Sequence, residues 1–206
     1  GNGSNSQTVK HGLSTAPELI ILKARGQGTY GWVTYDAING AGKYLTLNNT
    51  HGAVSDTGMW SNTAPTSSVF SLSNGDNTVA TNPNTVTMIS YCFHSVKGYS
   101  KIGSFTGNGS ASSGPYVNLG FRPAWVMIKR SGGAGGWEIY DSKRDGFNPK
   151  VHGVTANTNN AEDNTDDLLD LLSNGFKLYH DGSGLNTDGS EYIYMAFAEA
   201  PLVNSN

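Results

Sequence analysis

The residues best suited to chemistry in this chain come in two matched sets. Trp32, Tyr35 and Asp36 recur as Trp137, Tyr140 and Asp141, an offset of 137 − 32 = 105. An aromatic ring beside a carboxylate is what a sugar site uses, because a pyranose face is apolar and its hydroxyls favour acceptors. The same residue types also build frameworks, as a core Trp, a packed Tyr and a strand-ending Asp that caps a turn. The framework reading takes precedence, and Trp32, Asp36, Trp137 and Asp141 stand as the ligand-binding candidates. Strand alternation places Trp137, Ile139 and Asp141 on one face. Ile139 makes that face a buried one up to its end.

Catalysis has less to work with. A glycosidase needs two carboxylates about 5 to 9.5 Å apart. Glu138, Asp141, Asp145, Glu191 and Glu199 could supply them, yet no spacing pairs any two, and Glu138 answers to Val33 in the other copy. No catalytic residue is expected. Asp181–Gly189 lacks the acidic spacing and closing Glu of a calcium loop and reads as a hairpin loop. Its counterpart, Asn74–Asn77, is also turn-like. His11, His51, His94, His152 and His180 lack paired zinc spacing. Neither metal nor cofactor is expected. Gly107-Asn108-Gly109-Ser110 lacks the Lys-Ser/Thr end and following helix of a phosphate loop. The single cysteine, Cys92, excludes an internal disulfide and reads as a small buried side chain.

These candidates sit in a chain that repeats itself. Gly1-Asn2-Gly3-Ser4 returns as Gly107-Asn108-Gly109-Ser110, an offset of 107 − 1 = 106, which also relates Pro17 to Pro123 and Lys23 to Lys129. Phe70-Ser71-Leu72 answers to Phe176-Lys177-Leu178, and Ile89–Phe93 to Ile193–Phe197. The duplication predicts two modules, 1–98 and 99–206. Leu19–Leu22, Trp32–Tyr35, Tyr44–Leu47, Val69–Leu72, Met88–Phe93 and their counterparts are short, rich in β-branched or aromatic residues and bounded by turn formers. They read as strands, and the fold class as all-β: two tandem β-sandwich modules, jelly-roll or lectin-like. One segment differs. Asn164–Leu172 has an N-cap candidate in Thr165 or Asn164, acidic residues in its first turn and a stop at Gly175, which predicts one short helix in the second module. A strand over Ile102–Thr106 precedes the second Gly-Asn-Gly-Ser. Its equivalent in the first module would lie upstream of Gly1, so the chain is expected to be part of a longer protein with that strand truncated.

Composition narrows the function. Charged residues make up 14%, against roughly 25% in ordinary domains, and Gly, Asn, Ser and Thr supply the polarity instead. A net charge of −3 offers no basic field for nucleic acid. No run of 18 apolar residues exists, so no helical membrane insertion is expected. The 21 aromatics (4 Trp, 10 Tyr, 7 Phe) suffice to fill cores.

The phrases Phe105–Ser110, Gly120–Lys129, Thr63–Phe70, Leu172–Leu178 and Tyr192–Ala198 resemble a repeat domain of tailed bacteriophages. It is common in marine and environmental phages, where it occurs in tandem in tail-fibre-like and other virion proteins. The resemblance covers essentially the whole chain. It implies a virion location, other virion proteins as partners, and a structural or adhesive role that extends to host surface glycan. A homo-oligomer follows by the same analogy, a trimer as in tail fibres. No site residue carries over. The leading expectation is therefore a non-enzymatic virion surface protein of a tail fibre, spike or tip. The alternatives are a capsid decoration protein that braces the head and a polysaccharide-degrading tail component.

Overall fold

The computed structural model describes residues 1–26, 29–74, 79–162, 168–182 and 184–201. Among these the fold is all-β, in several sheets, and no helix is present. The chain divides into two compact units, Gly1–His94 and Ser95–Asn206.

The first unit holds β1 (Gln7–Lys10), β2 (Leu19–Ala24), β3 (Val33–Asp36), β4 (Lys43–Thr46), β5 (Val54–Ser55), β6 (Val69–Leu72) and β7 (Met88–Phe93). Five of them form one sheet in the order β5-β4-β3-β2-β7, and β1 pairs with β6 in a second. β2 follows Pro17, which cannot donate to a ladder. Its Leu-Ile-Ile-Leu run is buried on both faces, as befits a strand with covered sides. The core joins Ile20, Leu22, Val33 and Tyr35 of the large sheet to Phe70 and Leu72 of the small one. The unit is an open, sandwich-like pairing of sheets.

The second unit holds β8 (Ser100–Thr106), β9 (Tyr116–Asn118), β10 (Pro123–Arg130), β11 (Trp137–Asp141), β12 (Val154–Thr155), β13 (Leu169–Leu172), β14 (Gly175–Leu178) and β15 (Glu191–Ala198). Its sheets run β12-β11-β10-β15-β8 and β13-β14-β9. Val126, Ile128 and Tyr140 meet Phe176 and Leu178 in the core.

Strand registers can be compared pair by pair. Ile20 lies opposite Tyr35 and Cys92, and Val126 opposite Tyr140 and Ala196. Leu19 faces Asp36 and Phe93, as Trp125 faces Asp141 and Phe197. Val33 pairs with Thr46, and Glu138 with Thr155.

The helix expected over Asn164–Leu172 is not present in its described part. Leu169–Leu172 is a strand, hairpinned to Gly175–Leu178 with Leu171 opposite Phe176; residues 163–167 lie outside the described set. The physical reason is periodicity. Leu169 and Leu171 are both 0% exposed while Asp170 and Leu172 are half-buried, an alternation of two that serves a sheet face. The Leu pairs satisfy a helical stripe equally well on paper. Burial against Phe176 and Leu178 decides between them.

Candidate functional site

Each matched Trp stands at the hairpin end of its strand, beneath a lysine from the neighbouring strand. Lys23 Nζ lies 5.8 Å from the Trp32 ring centroid, and Lys129 Nζ lies 6.0 Å from that of Trp137. Each ammonium also donates to a carbonyl of its hairpin loop, Lys23 to Tyr30 O and Lys129 to Gly135 O. The Trp backbone is fixed in parallel fashion. Trp32 N–H donates to Asn48 Oδ1 at 2.7 Å, and Trp137 N–H to Asn157 Oδ1 at 2.9 Å. Trp137 is 1% exposed and offers no ring face to a ligand; Trp32 is half-buried with a cation over it. Burial, helped by Arg130 and opposed by Glu138, lowers Lys129 to about 8.

The aspartates end the same strands as turn caps. Asp36, 2% exposed, accepts from Asn39 N–H at 2.8 Å and from the Asn39 side-chain amide. Asp141 accepts from the backbone N–H groups of Lys143 and Arg144 and pairs with the Arg144 guanidinium at 2.7 Å. Their electrostatics diverge. Burial raises Asp36 despite the Asn39 hydrogen bonds. At Asp141 burial pushes upward, but the Arg144 and Lys143 hydrogen bonds outweigh it and the pKa is lowered. Within each unit the Trp and the Asp stand about 13 Å apart along the strand, at roughly 3.3 Å per residue. They are not brought into one monosaccharide-sized site. The face expected to be buried is also only partly so: Ile139 is half-buried, and the core residue is Tyr140.

The remaining carboxylates hold separate partners. Glu138 accepts from Thr155 Oγ1, Glu191 from Thr106 Oγ1, Glu199 pairs with Arg122, and Asp145 with His152. Burial pushes Asp145 up, but bonds from the His152 ring and from the His152 and Val151 amides leave its pKa lowered. Among the described residues no group of three or more His, Cys, Asp or Glu could hold a metal ion.

Two buried asparagines that no motif marks are held by several hydrogen bonds each. Asn82 and Asn186 are both 0% exposed. Asn82 Oδ1 accepts from Asn2 N–H at 3.0 Å, and its Nδ2 donates to Asn2 Oδ1 and Ser4 O. Asn186 Oδ1 accepts from Asn108 N–H at 2.8 Å, and its Nδ2 donates to Asn108 Oδ1, Ser110 O and His180 O. The backbone completes each clasp: Gly3 N–H donates to Asn82 O, and Gly109 N–H to Asn186 O. Gly1 O accepts from Thr85 N–H as Gly107 O does from Gly189 N–H. These contacts explain the repeated Gly-Asn-Gly-Ser. A Cβ on Gly107 would lie 2.2 Å from Thr187 O, and Gly109 sits at φ +62°, both of which demand glycine. The offset 186 − 82 = 104 equals that of Ile89 and Ile193, which is the sequence signal for the pair. The Asp181–Gly189 segment is thus the loop that carries a clasp; Gly75–Asn77 of its suggested counterpart lie outside the described residues.

One open depression among the described residues is largely polar in its lining. A groove of about 700 Å³ in the first unit is lined by Asn5, Ser6, Asp56, Thr57, Ser61 and Asn62, among others. Ser61 (φ 52°) and Asn62 (φ 46°) adopt the left-handed conformation, which is held in place by Ser61 Oγ donating to Asn5 O and Leu72 O. Neutral amides and hydroxyls with one carboxylate can exchange hydrogen bonds with a hydroxylated ligand.

Residues 1–201 match the family described as a domain of unknown function, DUF7483, and the chain belongs to that family. No curated protein and no solved structure matches it.

Proposed function

We propose that this DUF7483 chain is a non-enzymatic structural module of a tailed-phage particle, part of a tail fibre, spike or tip. In this reading its two units are duplicated β-sandwiches of the jelly-roll or lectin-like kind, and further copies in the particle assemble with them. The observation that carries the reading is the recurrence of one framework at nearly constant offsets. Registers, loop-locking lysines and asparagine clasps all recur, so the repeated side chains are spent on holding strands. Such modules suit a spacer. Their neutral Asn, Ser, Thr and Gly surface offers many hydrogen bonds and little charge-specific attraction. The open polar groove beside Asn5 and Asp56 is where host glycan would be met.

The test is the composition of intact particles from a phage that encodes the chain. Quantitative mass spectrometry, with antibody labelling to place it, is expected to find tens of copies or fewer, on the tail. Hundreds of copies on the head would replace this reading with a capsid decoration role. Absence from the particle would overturn it. Incubating purified protein with host surface polysaccharide should release no new reducing ends; their release would identify a degrading enzyme.

A further inference from the structure

One core position of the first unit carries an ionisable residue in the second. Val33 lies opposite Leu22, and both are buried in the first unit's core. At the corresponding rung of the second unit Ile128 pairs with Glu138. Directly paired residues project from the same face of a sheet, and Ile128 belongs to the core. Glu138 therefore turns its carboxylate inward, toward the space between the two sheets. A carboxylate in such a place costs stability unless it is partnered. Thr155 Oγ1 donates to Glu138 Oε2 at 3.1 Å, and Lys129 attracts it from the neighbouring strand. Those contacts make the charge tolerable. They give no reason for a carboxylate where Val33 serves the other unit.

Glu138 forms one wall of a cavity of about 190 Å³, with Tyr140, Gly153, Leu168, His180 and Leu185 around it. Its polar members come from separate segments, Glu138 and Tyr140 from β11 and His180 from just beyond β14. Gly153 seats Tyr140 closely, since a Cβ there would lie 2.8 Å from the ring's Cε1. His180 is anchored through its carbonyl, which accepts from the buried Asn186 side chain at 2.7 Å. The asparagine clasp thus also fixes one side of the cavity. The volume exceeds the roughly 150 Å³ that admits a benzene ring and falls below the roughly 300 Å³ of drug-sized sites. It holds one six-membered ring with small substituents. The lining decides the chemistry. A carboxylate, an imidazole and a phenol meet two leucines, which suits hydroxyls on an otherwise apolar ring. Lys129 already attracts Glu138, so a neutral guest brings no further charge into a half-buried site.

We propose that this cavity binds a neutral, hydroxyl-bearing six-membered ring, one sugar or cyclitol unit in size. Glu138 accepts from a ring hydroxyl, the His180 imidazole exchanges a second hydrogen bond, and Leu168 and Leu185 cover the apolar edges. The first unit carries Val33 at the matching rung and so lacks the carboxylate. The site is separate from the groove beside Asn5 and Asp56, which lies in the first unit. Keeping Glu138 ready for a ligand also has a cost in stability, and Val33 shows which residue would remove it.

The test titrates the full isotope-labelled chain with methyl glucoside, methyl galactoside, methyl mannoside and myo-inositol, read by amide chemical shifts. A methyl glycoside imitates the end of a glycan chain and inositol is a free ring, so the better binder tells which source the site serves. At least one should shift the amides of Glu138, Gly153, His180 and Leu185 saturably, with a Kd in the millimolar range expected of so small a ligand. Glu138→Val installs the first unit's residue; it should weaken binding about tenfold or more and raise the urea midpoint of the second unit. His180→Ala keeps the carbonyl that holds Asn186 and should weaken binding about threefold or more. No saturable shift with any of these rings, tighter binding of glucosamine or glucuronate, or full binding by either variant would overturn the proposal. So would shifts confined to the groove residues Asn5, Asp56, Ser61 and Asn62, or a midpoint lowered by Glu138→Val. None of those outcomes bears on particle composition, so the virion reading stands or falls separately.

Discussion

Replacing Asn186 removes the hub of the second clasp, and its cost can be worked from the contacts. The side chain has four hydrogen-bond partners at zero exposure: its Oδ1 accepts from Asn108 N–H, and its two Nδ2 hydrogens are shared among Asn108 Oδ1, Ser110 O and His180 O. A hydrogen bond is worth about 1 kcal/mol net, and a buried group left without its partner costs about 1–3 kcal/mol. Asn186→Ala should therefore destabilise by about 3–5 kcal/mol, with water entering the gap to hold the lower figure. Asn82→Ala loses three bonds and should cost about 2–4 kcal/mol on the same scale. Asn186→Asp separates shape from chemistry. Its volume is unchanged, yet one carboxylate oxygen would face three acceptors. Burial among acceptors raises the folded-state pKa above the unfolded value of about 3.9. The Asp variant is thus least impaired below pH 4, and its deficit grows as pH rises through and above that value. Urea titration read by hydrogen exchange and mass spectrometry, on peptides from residues 95–201, gives the midpoint shift. An Asn186→Ala midpoint equivalent to less than about 0.5 kcal/mol, at unchanged m-value, would refute the clasp as the reason for the repeated motif.

Three other perturbations follow from the same geometry. Thr85 holds φ 62° where Gly189 holds φ 66°, so Thr85→Gly should stabilise by about 0.5–1 kcal/mol in chemical denaturation, relief of strain exceeding the added chain entropy. Lys129 has a folded pKa of about 8, below its unfolded value, so the unfolded chain holds more protons between those values and stability rises with pH there. Against Lys129→Met, which lacks that proton, the wild type should gain at most about 2 kcal/mol between pH 7 and 9.5; parallel pH profiles would refute the buried lysine. Leu171→Ala should cost about 2–5 kcal/mol in thermal or urea unfolding and Leu172→Ala under about 1, the asymmetry expected of a strand; equal losses would argue for a helical stripe.

Much of the framework was legible because its signals are local. Leu19–Leu22 and Trp125–Ile128 follow prolines as apolar runs, and the Gly-rich stretches between β2 and β3 and between β10 and β11 mark hairpins. Leu168–Leu172 misled because its leucines fit both periods and its acidic residues imitate a helix start. The choice was made by distant partners, Phe176 and Leu178. The repeat offset found Trp32 and Trp137, and Lys23 and Lys129 as well, but not that each lysine is poised over its tryptophan. Asn82 and Asn186 were missed because asparagines in polar loops look like ordinary turn formers. Their burial comes from contacts 80 and 78 residues away. The polar groove arises only from which segments lie side by side.

Residue-resolved hydrogen exchange of the native chain tests the shared framework most directly. Ile89 and Tyr91 should be protected like Ile193 and Met195, and the clasp amides of Asn2 and Gly3 like those of Asn108 and Gly109. Tyr192, Tyr194 and Ala196 should exchange slowly beneath β8. Unrelated protection at those matched positions would contradict two units built on one hydrogen-bond plan.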